Sequence, residues 1–258
     1  MEALLRLQGI SVNFAGLRAL ADVTFDAHAG EVRAVIGPNG AGKTTLFNAI
    51  SGYVPASDGA IHFKGEPIHG LAPHDISVKG VRRTFQNGGL FPEMTTLENI
   101  LAGLHVHIKS SFLGIVFGSR EAREAEREGI ARARRLLDLM DLGATADQPA
   151  KDLSGGQQRM VEIVRTLATD PPLLLLDEPV VGLSPPMRDR MMEIIRRLAG
   201  EEGIGIMLIE HVIDLVMSGS DIIVVLNSGQ LIAEGRPEEV RQNREVLEAY
   251  LGLSLIHI

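Results

Sequence analysis

Three short apolar runs stand out along this chain. Glu31–Ile36 (E-V-R-A-V-I), Leu173–Leu176 (L-L-L-L) and Gly205–Ile209 (G-I-M-L-I) are brief and mostly apolar. Runs of that length suit strands buried on both faces, which belong to a parallel central sheet. Looser alternation predicts strands over Leu4–Phe14 and Val23–Ala27, joined by a short connection at Leu17–Ala21, and again over Ala60–Phe63 and Gly80–Phe85. Ile222–Leu226 and Gln230–Ala233 flank Asn227-Ser228-Gly229, which reads as a hairpin turn. Helical spacing predicts helices at Leu46–Ser51, Pro73–Lys79, Val212–Met217, Pro237–Val240 and Arg244–Leu251. A further helix begins at Ser184-Pro185, with Ser as N-cap and Pro at the first helical position.

At Asn87 the pattern changes. Asn87–Pro92 is a loop carrying two apolar residues, Leu90 and Phe91. Helical spacing then runs, with breaks, from Thr96 to about Met140, and resumes from Asp152–Gln158 to about Thr169. The expectation is one domain over residues 1–258: an α/β core with a mostly parallel sheet, an antiparallel β subdomain, and an inserted α-helical subdomain at about residues 87–165.

Composition narrows the function classes. A chain of 258 residues with 25 basic against 33 acidic side chains carries a net charge of −8, which argues against a general basic surface for nucleic acid. Arg120–Arg135 mixes both signs at helical spacing and reads as a solvated helix face. With no cysteine, disulfides, thiolate metal sites and cysteine nucleophiles are excluded. The opening M-E-A-L-L-R has no basic segment followed by an apolar core, so no signal peptide is expected. The longest apolar candidate for a membrane span, Ser110–Gly118, falls far short of the ~20 residues a spanning helix needs.

The chemistry begins directly after the first apolar run. Gly37-Pro38-Asn39-Gly40-Ala41-Gly42-Lys43-Thr44-Thr45 lies between a strand and a helix and matches G-x-x-x-x-G-K-[ST]. Glycines at those places let backbone N–H groups turn toward an anion, and the following helix points its positive end at the same spot. Lys43 supplies a charge for β- and γ-phosphates, and Thr44 a hydroxyl for Mg²⁺. The loop reads as a nucleoside triphosphate site. A phosphate loop needs a metal ligand at the end of a second buried strand, and Asp177 follows the four leucines. Glu178 stands one residue further, where it could orient or deprotonate an attacking water. His211 follows Gly205–Ile209, at the strand edge where open α/β sheets bind ligands. His105 and His107 show no metal-ligand grouping. Ser154-Gly155-Gly156, before Gln157 at a helix start, reads as a second anion site, which would complete the pocket of another copy.

Taken in order, these motifs resemble the ATP-binding subunits of ABC transporters: G-P-N-G-A-G-K-T-T, Gln86, L-S-G-G-Q, L-L-L-L-D-E-P and His211. F-A-G-L-R-A-L, R-R-T-F-Q-N, L-F-P-E-M-T-T-L-E-N-I and E-A-Y-L-G resemble the branched-chain amino acid importers in particular. The ATPase of lipopolysaccharide export, a soluble ABC ATPase and a P-loop kinase are the rivals. The resemblance implies a P-loop NTPase core using ATP and Mg²⁺. Phe14 would stack on adenine and Gly37–Thr45 bind the phosphates. Thr44, Gln86 and Asp177 would serve the metal, and Glu178, His211 and Gln86 hydrolysis. Ser154, Gly155, Gly156 and Gln157 would close on the γ-phosphate held by a second ATP-binding subunit, sister chain or self, in a nucleotide-sandwich dimer. Leu90 and Phe91 would face membrane permeases, and a periplasmic solute-binding protein would act indirectly. The protein would then sit peripherally on the cytoplasmic side of the inner membrane. Ser184 stands where the family often has aspartate, and Ser254–Ile258 follows no pattern.

Overall fold

The computed structural model describes residues 2–84, 89–104 and 120–254. Phe85, Gln86, Asn87, His105, His107, the 110–118 run and residues 255–258 lie outside the described residues. Two compact units are present: Met1–Arg83 with Pro172–Val181 and Arg188–Ile258, and Thr84–Pro171 with Gly182–Met187.

The first unit holds two sheets. Strands β1 (Leu5–Phe14), β2 (Leu17–Ala27), β4 (Asp58–Phe63) and β5 (Glu66–Pro67) form an antiparallel sheet in the order β2-β1-β4-β5. The other sheet runs β10-β9-β3-β8-β7-β6, from β10 (Gln230–Gly235), β9 (Ile222–Asn227), β3 (Val32–Ile36), β8 (Gly205–Ile209), β7 (Leu173–Asp177) and β6 (Val81–Arg83). Its strands are parallel except for β10 at the edge. Every residue of β3, β7 and β8 is buried, as a sheet covered on both faces requires. Leu173–Leu176 are each 0% exposed, and each such leucine stabilises the fold by about 1.5–3 kcal/mol relative to leaving it in water. Phe47 and Leu46, on the short helix α1 (Lys43–Ile50), share a core with β1, β2 and β4.

The segment expected as a connection at Leu17–Ala21 is instead the start of β2. Asp22 sits in the left-handed region at φ 54°, and the ladder with β1 shifts register there, so simple alternation is broken across the middle of one strand. Arg33 is the polar intruder in β3. It is buried and paired with Glu31 at 2.7 Å and with Glu234, and its guanidinium lies 5.4 Å from the Phe25 ring. A buried guanidinium satisfied in this way can occupy a strand that otherwise reads as apolar.

The second unit is helical. Helices α3 (Thr96–Leu104), α4 (Arg120–Leu139) and α5 (Gly155–Leu167) pack together through Ile100, Leu104, Ala133, Leu137, Val161 and Val164. The charged run seen in the sequence is α4, whose described polar residues are mostly exposed. Asn99 on α3 is 0% exposed. Its amide donates to the carbonyls of Phe91 and Thr95, both at 3.0 Å, and its carbonyl accepts from the Phe91 N–H at 2.8 Å. One buried side chain therefore shapes the turn that presents Phe91, 51% exposed, and Met94, 40% exposed. Among the described residues the other α-helices are α2 (Pro73–Lys79), between β5 and β6, and, later in the chain, α6 (Pro185–Glu202), α7 (Ile213–Gly219), α8 (Pro237–Gln242) and α9 (Arg244–Ser254).

Replacing Asn99 by alanine strips these partners from the backbone of the 91–95 turn. The expected cost is about 1–3 kcal/mol in urea unfolding of the helical unit, with faster proteolytic cleavage around residues 91–95 as the local readout.

Candidate functional site

Strand register builds the site. Val35 of β3 and Asp177 of β7 both pair with Ile209 of β8. The three chains leaving those strands, toward Gly37, Glu178 and His211, therefore emerge at one edge of the sheet, the carboxyl end where open parallel sheets bind ligands.

Sequence chemistry then shapes the loop between β3 and α1. Gly37 has φ 149°, and a methyl group there would collide with the Leu226 carbonyl oxygen. Gly42 has φ 102°, and its Cβ would fall 2.7 Å from the Ala19 carbonyl oxygen. Both positions need glycine because strand-end backbone crowds them. Gly42 is also the N-cap of α1, and no side chain caps that helix. The first N–H groups of α1 are thus presented to the loop, where an anion can accept from them. Lys43 is only 6% exposed. Its ammonium curls back and donates to the carbonyls of Gly37 at 2.8 Å and Pro38 at 2.9 Å. Burial holds the Lys43 ammonium below the usual lysine range, while Glu178 and Asp177 pull it back up.

A cleft of about 570 Å³ opens over this loop. Its walls include Phe14, Asn39, Gly40, Ala41, Gly42, Lys43, Thr44, Thr45, Glu178 and His211, together with Arg18, Ser228 and Gly229. Phe14, at the end of β1, is 46% exposed, so a ring face is open to a flat ligand. Glu178 takes the left-handed conformation at φ 51°, uncommon for a residue with a side chain. Its backbone N–H donates to the Ile209 carbonyl at 3.0 Å, which ties the turn to β8. Its Oε1 lies 2.9 Å from His211 Nε2. A carboxylate can only accept, so Nε2 carries the proton in that contact. Behind this pair Glu210 is 1% exposed and accepts from the N–H groups of Val180, at 2.9 Å, and His211, at 3.1 Å. Burial pushes the Glu210 carboxyl up, and those two amides pull it part of the way back. Asp177 is 4% exposed and paired with Arg83 at 2.8 Å.

Of the residues expected at the site, the cleft of the first unit brings together Phe14, Asn39–Thr45, Glu178 and His211; Gly37 and Pro38 are tied to it through Lys43, and Asp177 is buried at the end of β7. Gln86 lies outside the described residues. Ser154, Gly155, Gly156 and Gln157 belong to the second unit and start α5. Ser154 accepts from the Gln157 N–H at 3.3 Å, and Gln157 Oε1 accepts from the Ser154 N–H at 2.9 Å, forming a capping box. A methyl group on Gly155 would meet nothing within the chain, so nothing internal requires glycine there.

Sequence reading missed the wall made by Ser228 and Gly229. The Gly229 N–H donates to the Ala41 carbonyl at 3.0 Å, and the Gly229 carbonyl accepts from Ala21 at 2.8 Å. The hairpin turn between β9 and β10 thereby braces the phosphate loop against β2. Its glycine was legible as a turn residue, but only the fold gives its neighbour. Glu210 was missed as well, because a glutamate beside His211 reads as a surface residue until its burial is known.

Family comparison matches residues 20–181 to the ABC transporter family and residues 230–253 to the branched-chain amino acid ATP-binding cassette transporter family. The chain is 43% identical to the high-affinity branched-chain amino acid transport ATP-binding protein BraF of Pseudomonas aeruginosa, over 96% of this chain and 98% of that one. It is 39% identical to the corresponding protein LivG of Escherichia coli, over 97% and 98% of the two chains. The ADP conformation of MJ1267, an ATP-binding cassette of an ABC transporter, superposes with a TM-score of 0.84 at 34% identity, covering 98% of this chain and all of that one. With the phosphate loop, the paired strand ends and these similarities together, the chain is a member of the ABC transporter ATP-binding family, an ATPase cassette of α/β P-loop architecture.

Proposed function

We propose that this protein hydrolyses MgATP to drive uptake of branched-chain or closely similar amino acids through separate membrane permeases. The observation that carries the reading is the 2.9 Å contact between Glu178 and His211 in the cleft that also holds Lys43 and Thr44. A base candidate, a proton donor and a phosphate cradle share one wall.

Phe14 stacks on the adenine ring, and the loop amides with Lys43 hold the β- and γ-phosphates. On nucleotide arrival the Lys43 ammonium exchanges the Gly37 and Pro38 carbonyls for phosphate oxygens. Glu178 orients the attacking water and takes its proton, and the His211 Nε2–H keeps that carboxylate in place or turns to the γ-phosphate. The donors available to a metal are oxygens: the Thr44 hydroxyl and the Asp177 carboxylate, with Gln86 the third residue assigned to it from the sequence. Among the described residues no group of three His, Cys, Asp or Glu side chains could hold a metal alone. That donor set fits Mg²⁺, a hard ion usually held by one or two carboxylates together with substrate phosphates. Bound there, it would neutralise charge on the β- and γ-phosphates.

The domain reading is a single cassette of residues 1–258 that works with a second ATP-binding subunit. Gly155, open on its outer side, supports close approach by another molecule at Ser154–Gln157. Among the described residues no helix is long and apolar enough to cross a membrane. In the proposed reading the transport path belongs to partner permeases, with this subunit peripheral on their cytoplasmic side, and the names of BraF and LivG as transport ATP-binding proteins support it. Of the two residues expected to face them, Phe91 is exposed and Leu90 half-buried, and Met94 adds a further exposed apolar side chain on the turn that Asn99 holds. A periplasmic solute-binding protein acts at one remove. The relatives BraF and LivG are named for branched-chain amino acid transport, and the match over residues 230–253 supports the same solute class here.

Three variants test the reading. Glu178→Gln is expected to keep nucleotide affinity but lower ATP turnover by at least ~10²-fold, and unchanged turnover would remove Glu178 as the base. Lys43→Ala is expected to weaken ADP binding roughly 10–100-fold, measured by calorimetry. Ser154→Ala is expected to destabilise α5 by about 0.5–2 kcal/mol and to reduce ATP-dependent dimerisation in light scattering; retained dimerisation would separate the serine from the partner pocket.

A further inference from the structure

The mechanism above does not use Arg83, a buried cation beside the site. Arg83 ends β6, and its side chain is 6% exposed against 5% for that of Asp177. Its Nη2 donates to Asp177 Oδ2 at 2.8 Å. Its Nη1 donates to Asn48 Oδ1 at 2.6 Å and to Ser51 Oγ at 3.3 Å, and its guanidinium carbon lies 5.7 Å from the Phe47 ring centre. Phe47 and Asn48 belong to α1, and Ser51 caps that helix. A single guanidinium thus joins the helix that begins in the phosphate loop to the carboxylate at the end of β7.

Stability is a weak reason for such a pair. Taking both charges out of water offsets most of their attraction, and well-packed apolar residues usually serve as well. Position gives a better reason. Asp177 is the only carboxylate among the residues assigned to the metal, and a carboxylate without a counter-cation at that depth would be strongly unfavourable. We propose that Arg83 is a positioning residue that stands in for the divalent cation: it neutralises Asp177 in the metal-free cassette, shares the carboxylate when Mg²⁺–nucleotide arrives, and so sets how much Mg²⁺ the site demands. The inference rests on the assignment of Asp177 to the metal. The same guanidinium holds Asn48 and Ser51, so it ties the far end of α1 to Asp177.

The test is binding, not turnover. Full-length protein is titrated with MgCl₂ in the presence of a fluorescent ADP analogue, and the half-saturating Mg²⁺ concentration is read. Arg83→Met removes a positive charge close to the metal, and the Coulomb interaction of a +2 with a +1 charge a few ångströms apart predicts a fall of about tenfold in that concentration. Arg83→Lys keeps the charge and is expected to stay within about threefold of the parent. An unchanged or raised concentration in Arg83→Met overturns the proposal. Asp177→Asn is the separate control: if it leaves the Mg²⁺ response intact, the assignment of Asp177 itself fails. Should Arg83→Met be insoluble, Arg83→Gln, which also removes the charge but keeps hydrogen-bond donors for Asn48 and Ser51, is read in the same titration: a fall of about tenfold supports the proposal, and an unchanged or raised concentration overturns it.

Discussion

The register of three parallel strands is the constraint on which this protein depends. β8 pairs with β3 on one side and β7 on the other, and Ile209 is the shared partner of Val35 and Asp177. The phosphate loop, Glu178 and His211 each follow one of those strands, while Phe14 ends β1 and Ser228 and Gly229 turn between β9 and β10. Side chains alternate with a period of two, so a slip by one residue on β7 would turn Asp177 to the opposite face of the sheet. The apolar burial of β3, β7 and β8 on both faces makes such slips costly. Packing energy thereby fixes the chemical geometry.

Around that frame the charges are arranged in layers. The cleft wall carries Lys43, Glu178 and His211. Behind it stand two carboxylates, each held in place by hydrogen-bond donors: Asp177 by the Arg83 guanidinium, and Glu210 by the N–H groups of Val180 and His211. Low-dielectric surroundings make every one of these contacts matter more than a surface ion pair would, and an imperfectly paired one would be correspondingly costly. Glu210 joins the turn after Glu178 to the backbone of His211, so the two residues of the 2.9 Å contact share a common support.

Much of this was legible in the sequence. The phosphate loop announces itself because its glycines and lysine answer to rigid geometric demands, and the central strands because complete burial leaves near-continuous apolar runs. The order of motifs also carried the family. Other parts could not be read because their meaning lies in tertiary neighbours. The start of β2 looked like a connection because the irregularity at Asp22 breaks its alternation. β5 is only two residues long and offers no period to detect. Ser228 and Gly229 looked like an ordinary hairpin turn, and nothing local says that the turn leans on the phosphate loop. Arg83 falls within the strand expected over Gly80–Phe85, but nothing local says that its guanidinium is buried against Phe47 and Asn48 of α1.

One contact of the phosphate loop bears on its shape. The Lys43 ammonium, with three N–H donors, gives two of them to carbonyls at the start of its own loop, Gly37 and Pro38. The side chain that opens α1 thereby reaches back across the turn and ties both ends of the loop to one nitrogen. The nitrogen that gives the cleft its positive charge is also a staple for the backbone around it, so charge and shape at this corner cannot be altered separately.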